Sequence, residues 1–329
     1  MRRDLFMGID GGASSTTCVV VDSSGRVHAS GHAGPVDHLY RPAGRRQTRR
    51  ALRDAVDAAL AASRCRGRLR AIVAGLTGLE PDSPEARLAR RMVHEVVRAD
   101  IIRVTWDVEV AFAGAAAGGS GIMVIAGTGS VAFGRNARGQ TARAGGYGFL
   151  IDDHGGGVSI GQAALRAVLQ ARDGRGPHTR LLPLITERLG DWPAIRRAVY
   201  GEGGRVLLAS LVPLVARAAA SHDAVARRIL GAAGQALADL AAAVARRLDM
   251  REESFDLFTV GGVFAAGELV RKSLRRALRK HALRCRLRPP IFPPAIGAAL
   301  LAMEAAGVPL QSAVLRQLKS TSAPEDQTR

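Results

Sequence analysis

Two glycine-rich turns carry the residue types in this sequence that could bind a phosphate. The stretch Gly8–Asp22 reads GIDGGASSTTCVVVD and places glycines and hydroxyl residues between two apolar runs. The stretch Gly121–Gly134, GIMVIAGTGSVAFG, repeats that pattern. Each predicts a β-hairpin whose tip exposes backbone N–H groups and hydroxyl donors. Such a tip could bind an anion. The alternative interpretation is a polar turn that binds no ligand.

Two aspartates end predicted strands near these turns. Asp10 directly precedes the first tip, where a divalent cation between its carboxylate and a phosphate would explain its presence. Asp107 ends the strand IIRVTWD and could accept the proton of an alcohol that attacks a phosphoryl group. A helix N-cap is the alternative role for Asp107. Phosphoryl transfer needs little more from a protein than charge neutralisation and one oriented nucleophile.

The composition limits the classes of partner. A chain of 329 residues is long enough for two domains, and its net charge of +18 raises the question of nucleic acid. Arginine is spread along the whole chain, and the densest basic run, Arg271–Arg288, has apolar residues at helical spacing. The arginines are therefore predicted on the solvated face of a packed helix, and we expect no nucleic-acid partner.

Cysteine usage and hydropathy bear on location. Cys18, Cys65 and Cys285 are isolated in sequence, which argues against disulfides and against a zinc site. No N-terminal apolar segment reaches the length of a signal peptide or a membrane span. The sequence therefore predicts a cytoplasmic protein with no membrane association.

The remaining elements alternate between strands and helices. The first half predicts a strand meander, a helix over about 47–63, a buried strand, a second helix and the strand that ends at Asp107. A third glycine-ended strand, Asp256–Phe264, enters a helix, and Ala-rich helices fill about 206–248. A last helix follows Pro293, and the polar tail, residues 319–329, is predicted to be disordered.

The ordered set of motifs resembles the actin-like ATPases, and within them the N-acetylglucosamine kinase and BadF/BadG/BcrA/BcrD ATPase family. The motifs DGGAS, WDVEVAFAGA, AGTGS, GGYGFLIDDHGGGVSIG, VGGVF and PPAIGAALLA occur in family order from Gly8 to about Ala306. The resemblance implies an α/β, two-domain actin-like ATPase (ribonuclease H-like) fold, with duplicated mixed β-sheet domains, helices and a cleft between them. The expected N-terminal domain is 1–112, completed by a helix at about 295–315, and the C-terminal domain is 113–294.

The resemblance also implies a nucleotide site for ATP and Mg²⁺. The residues expected to contact ATP are Asp10, Gly11, Gly12, Ser14, Ser15, Thr16, Gly127, Thr128, Gly129, Gly261 and Gly262. Asp10 is expected to hold Mg²⁺ through water, and Asp107 takes the place of the family's catalytic aspartate. The first motif departs from the usual DGGGT, because Ala13 replaces a glycine and Ser14 replaces the threonine.

A sugar subsite follows from the same resemblance. The residues expected to contact the sugar are Asp37, His38, Ser130, Gly146, Tyr147, Gly148 and Asp153. The family's Asn-His pair appears as Asp37-His38, and its GDEGS segment appears as residues 152–156, DDHGG. The added acidic character makes glucosamine as compatible as N-acetylglucosamine. The expected activity is ATP-dependent phosphorylation of an amino sugar by a homodimer.

Two other functions remain open for such a chain. The family also contains ATPases that activate 2-hydroxyacyl-CoA dehydratases through an iron–sulfur cluster shared between subunits, and the scattered cysteines disfavour that role. The altered segment 152–156 would suit a sugar or nucleotide sensor without turnover, whereas the retained Asp107 argues against it.

Overall fold

The computed structural model describes residues 3–63 and 67–322, so Cys65 lies outside the described residues. The chain divides into two compact units. Unit 1 contains the described residues up to Gly119 and from Pro290, and unit 2 contains Ser120–Pro289.

Unit 1 contains five strands and five helices among its described residues. They are β1 (Arg3–Gly11), β2 (Thr16–Asp22), β3 (Val27–Ala33), α1 (Pro42–Ala62), β4 (Gly67–Leu76), α2 (Pro84–Val96), β5 (Ile101–Trp106), α3 (Asp107–Ala115), α12 (Pro294–Ala305) and α13 (Ser312–Thr321). Unit 2 contains five strands and eight helices. They are β6 (Gly121–Ala126), β7 (Ser130–Arg135), β8 (Thr141–Gly145), α4 (Gly157–Arg172), α5 (Leu181–Leu189), α6 (Trp192–Tyr200), α7 (Gly204–Ala209), α8 (Val212–Ala220), α9 (Ala224–Arg247), β9 (Ser254–Val260), α10 (Gly262–Ala265), α11 (Glu268–Lys280) and β10 (Arg284–Arg288).

The two sheets have the same topology. In unit 1 the strand order is β3-β2-β1-β4-β5, with the β1, β2 and β3 pairs antiparallel and the β1, β4 and β5 pairs parallel. In unit 2 the order β8-β7-β6-β9-β10 repeats this arrangement strand for strand. Both predicted hairpins are confirmed, and so is the duplication that their similar sequences indicated.

Close backbone contact holds the last long helix against the first sheet. A Cβ on Gly8 of β1 would lie 2.2 Å from the Ala295 carbonyl oxygen, and a Cβ on Gly297 would lie 2.0 Å from that of Val110 in α3. Only glycine allows this approach of α12 to both elements. Residues 113–115 at the end of α3, which the sequence assigned to the C-terminal domain, lie in unit 1.

Two further sequence predictions need correction, and one strand was not predicted. The basic run Arg271–Arg288 is not one helix, because α11 ends at Lys280 and an edge strand, β10, follows. Strand β8 was not predicted, and it pairs with β7. Residues 319–321 of the predicted tail belong to α13, whose Leu318 is buried, whereas residues 323–329 lie outside the described part.

Helix α9 is long and apolar enough to cross a membrane by length and composition, and the bent pair Trp192–Tyr200 and Gly204–Ala220 passes the same test together. In unit 2, half of the apolar window of α9 is buried. A Cβ on Gly234 of α9 would lie 2.6 Å from the Val270 carbonyl oxygen of α11. Helix α9 therefore packs as a core helix of this unit.

A buried carboxylate at the β2–β3 turn provides a test of the unit 1 fold. Asp22 is 4% exposed and accepts hydrogen bonds from Ser24 N (2.9 Å), Arg26 N (3.2 Å) and His28 Nε2 (2.8 Å). Burial alone would raise its pKa, but the hydrogen bonds from Ser24, His28 and Arg26 outweigh burial and lower the pKa below the ordinary 3.8.

We expect Asp22→Ala to lower the free energy of unfolding by about 1–3 kcal/mol at pH 7, because it removes the hydrogen bonds that a buried carboxylate accepts from Ser24, Arg26 and His28. A lowered pKa adds stability above the unfolded-state value, and that stability is lost as the pH falls through the folded-state value. The difference between wild type and variant should therefore shrink below pH 3.8 in urea titrations. Asp54→Ala, at an exposed ion pair of α1, is the control and should change stability by less than about 0.5 kcal/mol. An effect of Asp22→Ala as small as that of the control would contradict the assignment.

Candidate active site

The carboxyl ends of three neighbouring strands of unit 1 are in register. Gly11 of β1 pairs with Leu76 of β4, and Leu76 pairs with Trp106 of β5. Strands lie about 4.8 Å apart, so the ends of β1 and β5 are separated by about 10 Å. The first glycine tip follows β1 and Asp107 follows β5, so both lie at the same edge of one sheet.

Neighbouring loops fix the orientation of the first tip. The carbonyl oxygen of Gly11 accepts from Thr77 N (2.9 Å), and that of Gly12 accepts from Val36 N (3.1 Å). Every described peptide bond is trans, so the N–H of Ala13 points opposite to the Gly12 carbonyl and away from Val36. The tip therefore turns carbonyls toward its own unit and presents an N–H group on the other side.

The hydroxyl residues of this tip have different environments. Ser14 and Ser15 are exposed. Thr16 is fully buried, and its hydroxyl donates to the carbonyl oxygen of Gly34 at 2.8 Å. The Thr16 hydroxyl therefore holds the tip to the loop after β3, whereas the two serines are exposed to solvent.

Asp37 and His38 lie on that same loop and reach the same edge. Asp37 Oδ1 accepts from His38 N (2.7 Å), and the Thr48 hydroxyl of α1 donates to the Asp37 carbonyl (2.9 Å). A Cβ on Gly78, just after β4, would lie 2.5 Å from His38 Nδ1, so the imidazole packs on the turn between the tip and Asp107. Both predicted sugar contacts are thus close to that edge, and both are half-buried.

Asp107 is the first residue of α3, and the N-cap position is Trp106. Its Oδ1 accepts from Val108 N at 2.7 Å, and the side chain is half-buried. The other carboxylate in this turn, Glu109, accepts hydrogen bonds from the Thr105 hydroxyl and, at 2.6 Å, from Arg103. Glu109 is therefore held by neighbouring side chains of β5.

In unit 2, the second tip rests on the start of helix α4. The carbonyl oxygens of Gly127 and Thr128 accept from the N–H groups of Gly157 (2.8 Å) and Val158 (3.0 Å). Because the peptides are trans, the N–H groups of Thr128 and Gly129 point away from α4. Two backbone donors are thus aimed to one side of the tip, as binding of an anion requires.

The glycines after β9 lie against this tip. A Cβ on Gly261, whose φ is +110°, would lie 2.4 Å from the Ala126 carbonyl oxygen and 2.9 Å from Gly127 N. A Cβ on Gly127 or on Gly262 would meet no atom of the described residues within 4 Å. The structure therefore brings together the predicted phosphate and adenosine segments of unit 2, and Gly127 and Gly262 have open space on their Cβ side.

The predicted sugar loop of unit 2 follows β8 at the same sheet edge, because Gly145 pairs with Val131 just after the tip. Arg143, which sequence analysis missed, donates to the carbonyl oxygens of Gly145 (3.1 Å) and Gly146 (2.7 Å). Its guanidinium also lies 5.2 Å from the centre of the exposed Tyr147 ring. No motif marks Arg143, because its role depends on the fold of the loop that follows it.

Among the described residues, no three His, Cys, Asp or Glu side chains group as ligands for a metal ion. Magnesium in nucleotide sites is usually bound through phosphates, waters and one or two carboxylates. Asp10, half-buried at the end of β1 and next to the first tip, fits that donor set.

The match to known families agrees with this geometry. The model of the BadF/BadG/BcrA/BcrD ATPase family matches residues 7–302. The chain belongs to that family. The two five-stranded mixed sheets have the actin-like ATPase architecture that the motifs predicted.

Individual relatives give more detail. The chain is 30% identical over 199 residues to the N-acetyl-D-glucosamine kinase of Dictyostelium discoideum, covering 57% of this chain and 61% of the relative. It is 48% identical over 80 residues to the N-acetylmuramic acid/N-acetylglucosamine kinase of Clostridium acetobutylicum, covering 24% of this chain and 26% of the relative. The matches thus span about three fifths and about a quarter of these relatives.

A solved structure is similar over nearly its whole length. The crystal structure of a proposed N-acetylglucosamine kinase of Chromobacterium violaceum has 27% identity and a TM-score of 0.70. The match covers 92% of this chain and 99% of that one.

Proposed function

We propose that this protein phosphorylates an amino sugar of the N-acetylglucosamine type with ATP, and that Asp107 is the general base. One observation carries the proposal. Asp107 begins α3 at the same sheet edge as the first glycine tip, two strands away. A carboxylate in that position suits an acceptor alcohol next to a phosphate held at the tip.

ATP and Mg²⁺ are the cofactors of the proposed reaction. In unit 1, Ser14, Ser15 and the N–H of Ala13 would donate to phosphate oxygens. In unit 2, the N–H groups of Thr128 and Gly129 would do the same, and Gly261 and Gly262 would face the nucleoside. Magnesium, held near Asp10 through water, supplies charge neutralisation on the phosphates when it is bound.

Asp107 would orient the attacking sugar hydroxyl and accept its proton as the bond to the γ-phosphorus forms. Its Oδ1 accepts a hydrogen bond from Val108 N, which fixes the carboxylate at the start of α3, where the substrate hydroxyl would approach in this proposal. The bond between the γ-phosphorus and the β–γ bridging oxygen of ATP breaks, ADP leaves, and the second product is a sugar phosphate.

The names of the relatives support an N-acetylated hexosamine as acceptor. The sequence of segment 152–156 suggested extra negative charge that could bind the free amine of glucosamine. The environment of Asp153 weakens that argument. Asp153 is 5% exposed, and its carboxylate accepts hydrogen bonds from the backbone of Ser130 and Gly148. Glucosamine remains the alternative acceptor, and we infer a cytoplasmic homodimer by analogy with the family.

A panel of acceptors tests the choice of sugar. We expect coupled ADP release with N-acetylglucosamine at a kcat/KM at least tenfold above that with glucosamine, N-acetylmannosamine, N-acetylmuramic acid or glucose. A higher kcat/KM with glucosamine than with N-acetylglucosamine would identify the free amino sugar as the preferred acceptor. No release with any sugar, together with tight ATP binding, would overturn the kinase function and favour a sensor.

A further inference from the structure

Strand β10 forms an open edge of the unit 2 sheet. It is last in the order β8-β7-β6-β9-β10 and pairs only with β9 among the described strands. An edge strand presents backbone N–H and C=O groups that can pair with a further strand. Because Pro289 and Pro290 follow β10 and prolines cannot donate to a strand pair, the open edge is limited to five residues.

The side chains of β10 form a charged row and an apolar row. Arg284, Arg286 and Arg288 are exposed on one face of the sheet. Cys285 and Leu287 alternate with them and pack against the core of unit 2 on the other face. A strand added beside β10 would place its own side chains in the same two rows, because side chains along a strand alternate between the two faces.

The arginine row carries more positive charge than the neighbouring carboxylate neutralises. The Nε atoms of Arg286 and Arg288 lie 3.3 and 3.5 Å from the same oxygen, Asp256 Oδ1. Arg284 forms no ion pair with the part of the chain that the structure describes. Three guanidinium groups therefore face one carboxylate, and the row attracts further negative charge.

The duplicated sheet of unit 1 shows that the topology does not require this row. Strand β5 holds the position in unit 1 that β10 holds in unit 2. It has one arginine, Arg103, which donates to Glu109 at 2.6 Å. The arginine row is therefore a feature of the sequence of β10 and not of the fold.

We propose that β10 binds an extended segment of another protein in which acidic residues alternate with apolar ones. The acidic side chains would lie beside the arginine row, and the apolar side chains would lie beside Cys285 and Leu287. The backbone of the added strand would pair with the open N–H and C=O groups of β10. Binding of such a segment needs neither ATP nor a sugar, so it is independent of the kinase function.

Two other occupants fit this edge less well. A second copy of β10 would place arginines next to arginines, and like charges opposite each other destabilise a strand pair. A nucleic acid offers phosphate oxygens to the arginines, but these oxygens only accept hydrogen bonds and would leave the open carbonyl groups of β10 unpaired. An acidic strand supplies both donors and acceptors.

Fluorescence anisotropy at about 0.15 M salt tests the proposal with two labelled peptides of identical composition. One peptide alternates glutamate and valine, Gly-Glu-Val-Glu-Val-Glu-Val-Gly, and the other has them in blocks, Gly-Glu-Glu-Glu-Val-Val-Val-Gly. We expect the alternating peptide to bind the full chain about tenfold more tightly, because only alternation matches both rows of β10.

The double variant Arg284→Gln/Arg288→Gln should weaken binding of the alternating peptide about fivefold or more, while Arg286 keeps its contact with Asp256. Lys272→Gln/Arg279→Gln is the matched control, because it removes the same charge from exposed positions of α11. The control should keep the affinity within about twofold of wild type.

Three results would overturn the proposal. Equal affinities for the two peptides, or equal losses in the two double variants, would show general charge attraction only. Hydrogen exchange of the β10 amides should slow when wild type binds the alternating peptide, and unchanged exchange would place the peptide elsewhere without any variant having to fold. Tighter binding of a single-stranded oligonucleotide, lost in Arg284→Gln/Arg288→Gln, would make the row a nucleic-acid surface instead.

Discussion

Replacement of Asp107 by Asn is expected to lower kcat by about 10²–10⁴-fold, because the amide cannot accept the proton of the sugar hydroxyl. The dissociation constant for ATP should stay within about twofold of wild type, since the proposed phosphate donors are the backbone N–H and hydroxyl groups of the two glycine tips. Pre-steady-state phosphate transfer and calorimetry with an ATP analogue measure the two quantities separately.

Glu109→Gln is the matched control for Asp107→Asn. It changes an acidic residue in the same helical turn, but its carboxylate is held by Thr105 and Arg103. We expect a loss of stability with a much smaller effect on kcat. If Asp107→Asn kept kcat within tenfold of wild type, Asp107 would not be the general base.

Gly127→Val is expected to lower kcat/KM for ATP on the order of 100-fold, because displacement of a reacting group by about 1 Å can cost that much. A Cβ at this position would meet no described atom within 4 Å, so the new side chain would occupy the open side of the tip. The free energy of unfolding should change little, which steady-state kinetics and chemical denaturation together would show.

Gly231→Val is the control for that substitution. Gly231 lies within α9, and a Cβ there would also meet no described atom within 4 Å. The same chemical change should leave kcat/KM for ATP near wild type. Equal losses in both variants would remove Gly127 from the nucleotide site.

The hairpins and the repeated sheet could be predicted from the sequence because their signals are local. Glycine and hydroxyl residues between β-branched runs define each tip within about ten residues, and Gly8–Asp22 and Gly121–Gly134 carry that signal. The strand end at Asp107 was equally clear, because a polar residue directly follows IIRVTW.

Strands β8 and β10 escaped prediction because their signals are not local. The sequence of β8, TARAG, has few apolar residues, and its place comes from pairing with β7. In β10 three exposed arginines alternate with Cys285 and Leu287. This alternation was interpreted as the end of the basic helix that precedes it. Tertiary pairing decides both.

The hydrogen-bond partners of Asp153, Thr16 and Arg143 could not be predicted for a related reason. Their partners are backbone groups of loops that are brought near by sheet pairing. A sequence motif indicates which residues lie near a site. It does not indicate which of their side chains contact a ligand and which contact the neighbouring backbone.

The fate of the γ-phosphate tests the central claim most directly, because the chain belongs to a family named for ATPases. With γ-³²P-labelled ATP, magnesium and N-acetylglucosamine, the account predicts that wild type places most of the label in a sugar phosphate and that Asp107→Asn places almost none there. Release of the label only as inorganic phosphate, at a rate that N-acetylglucosamine does not change, would contradict it.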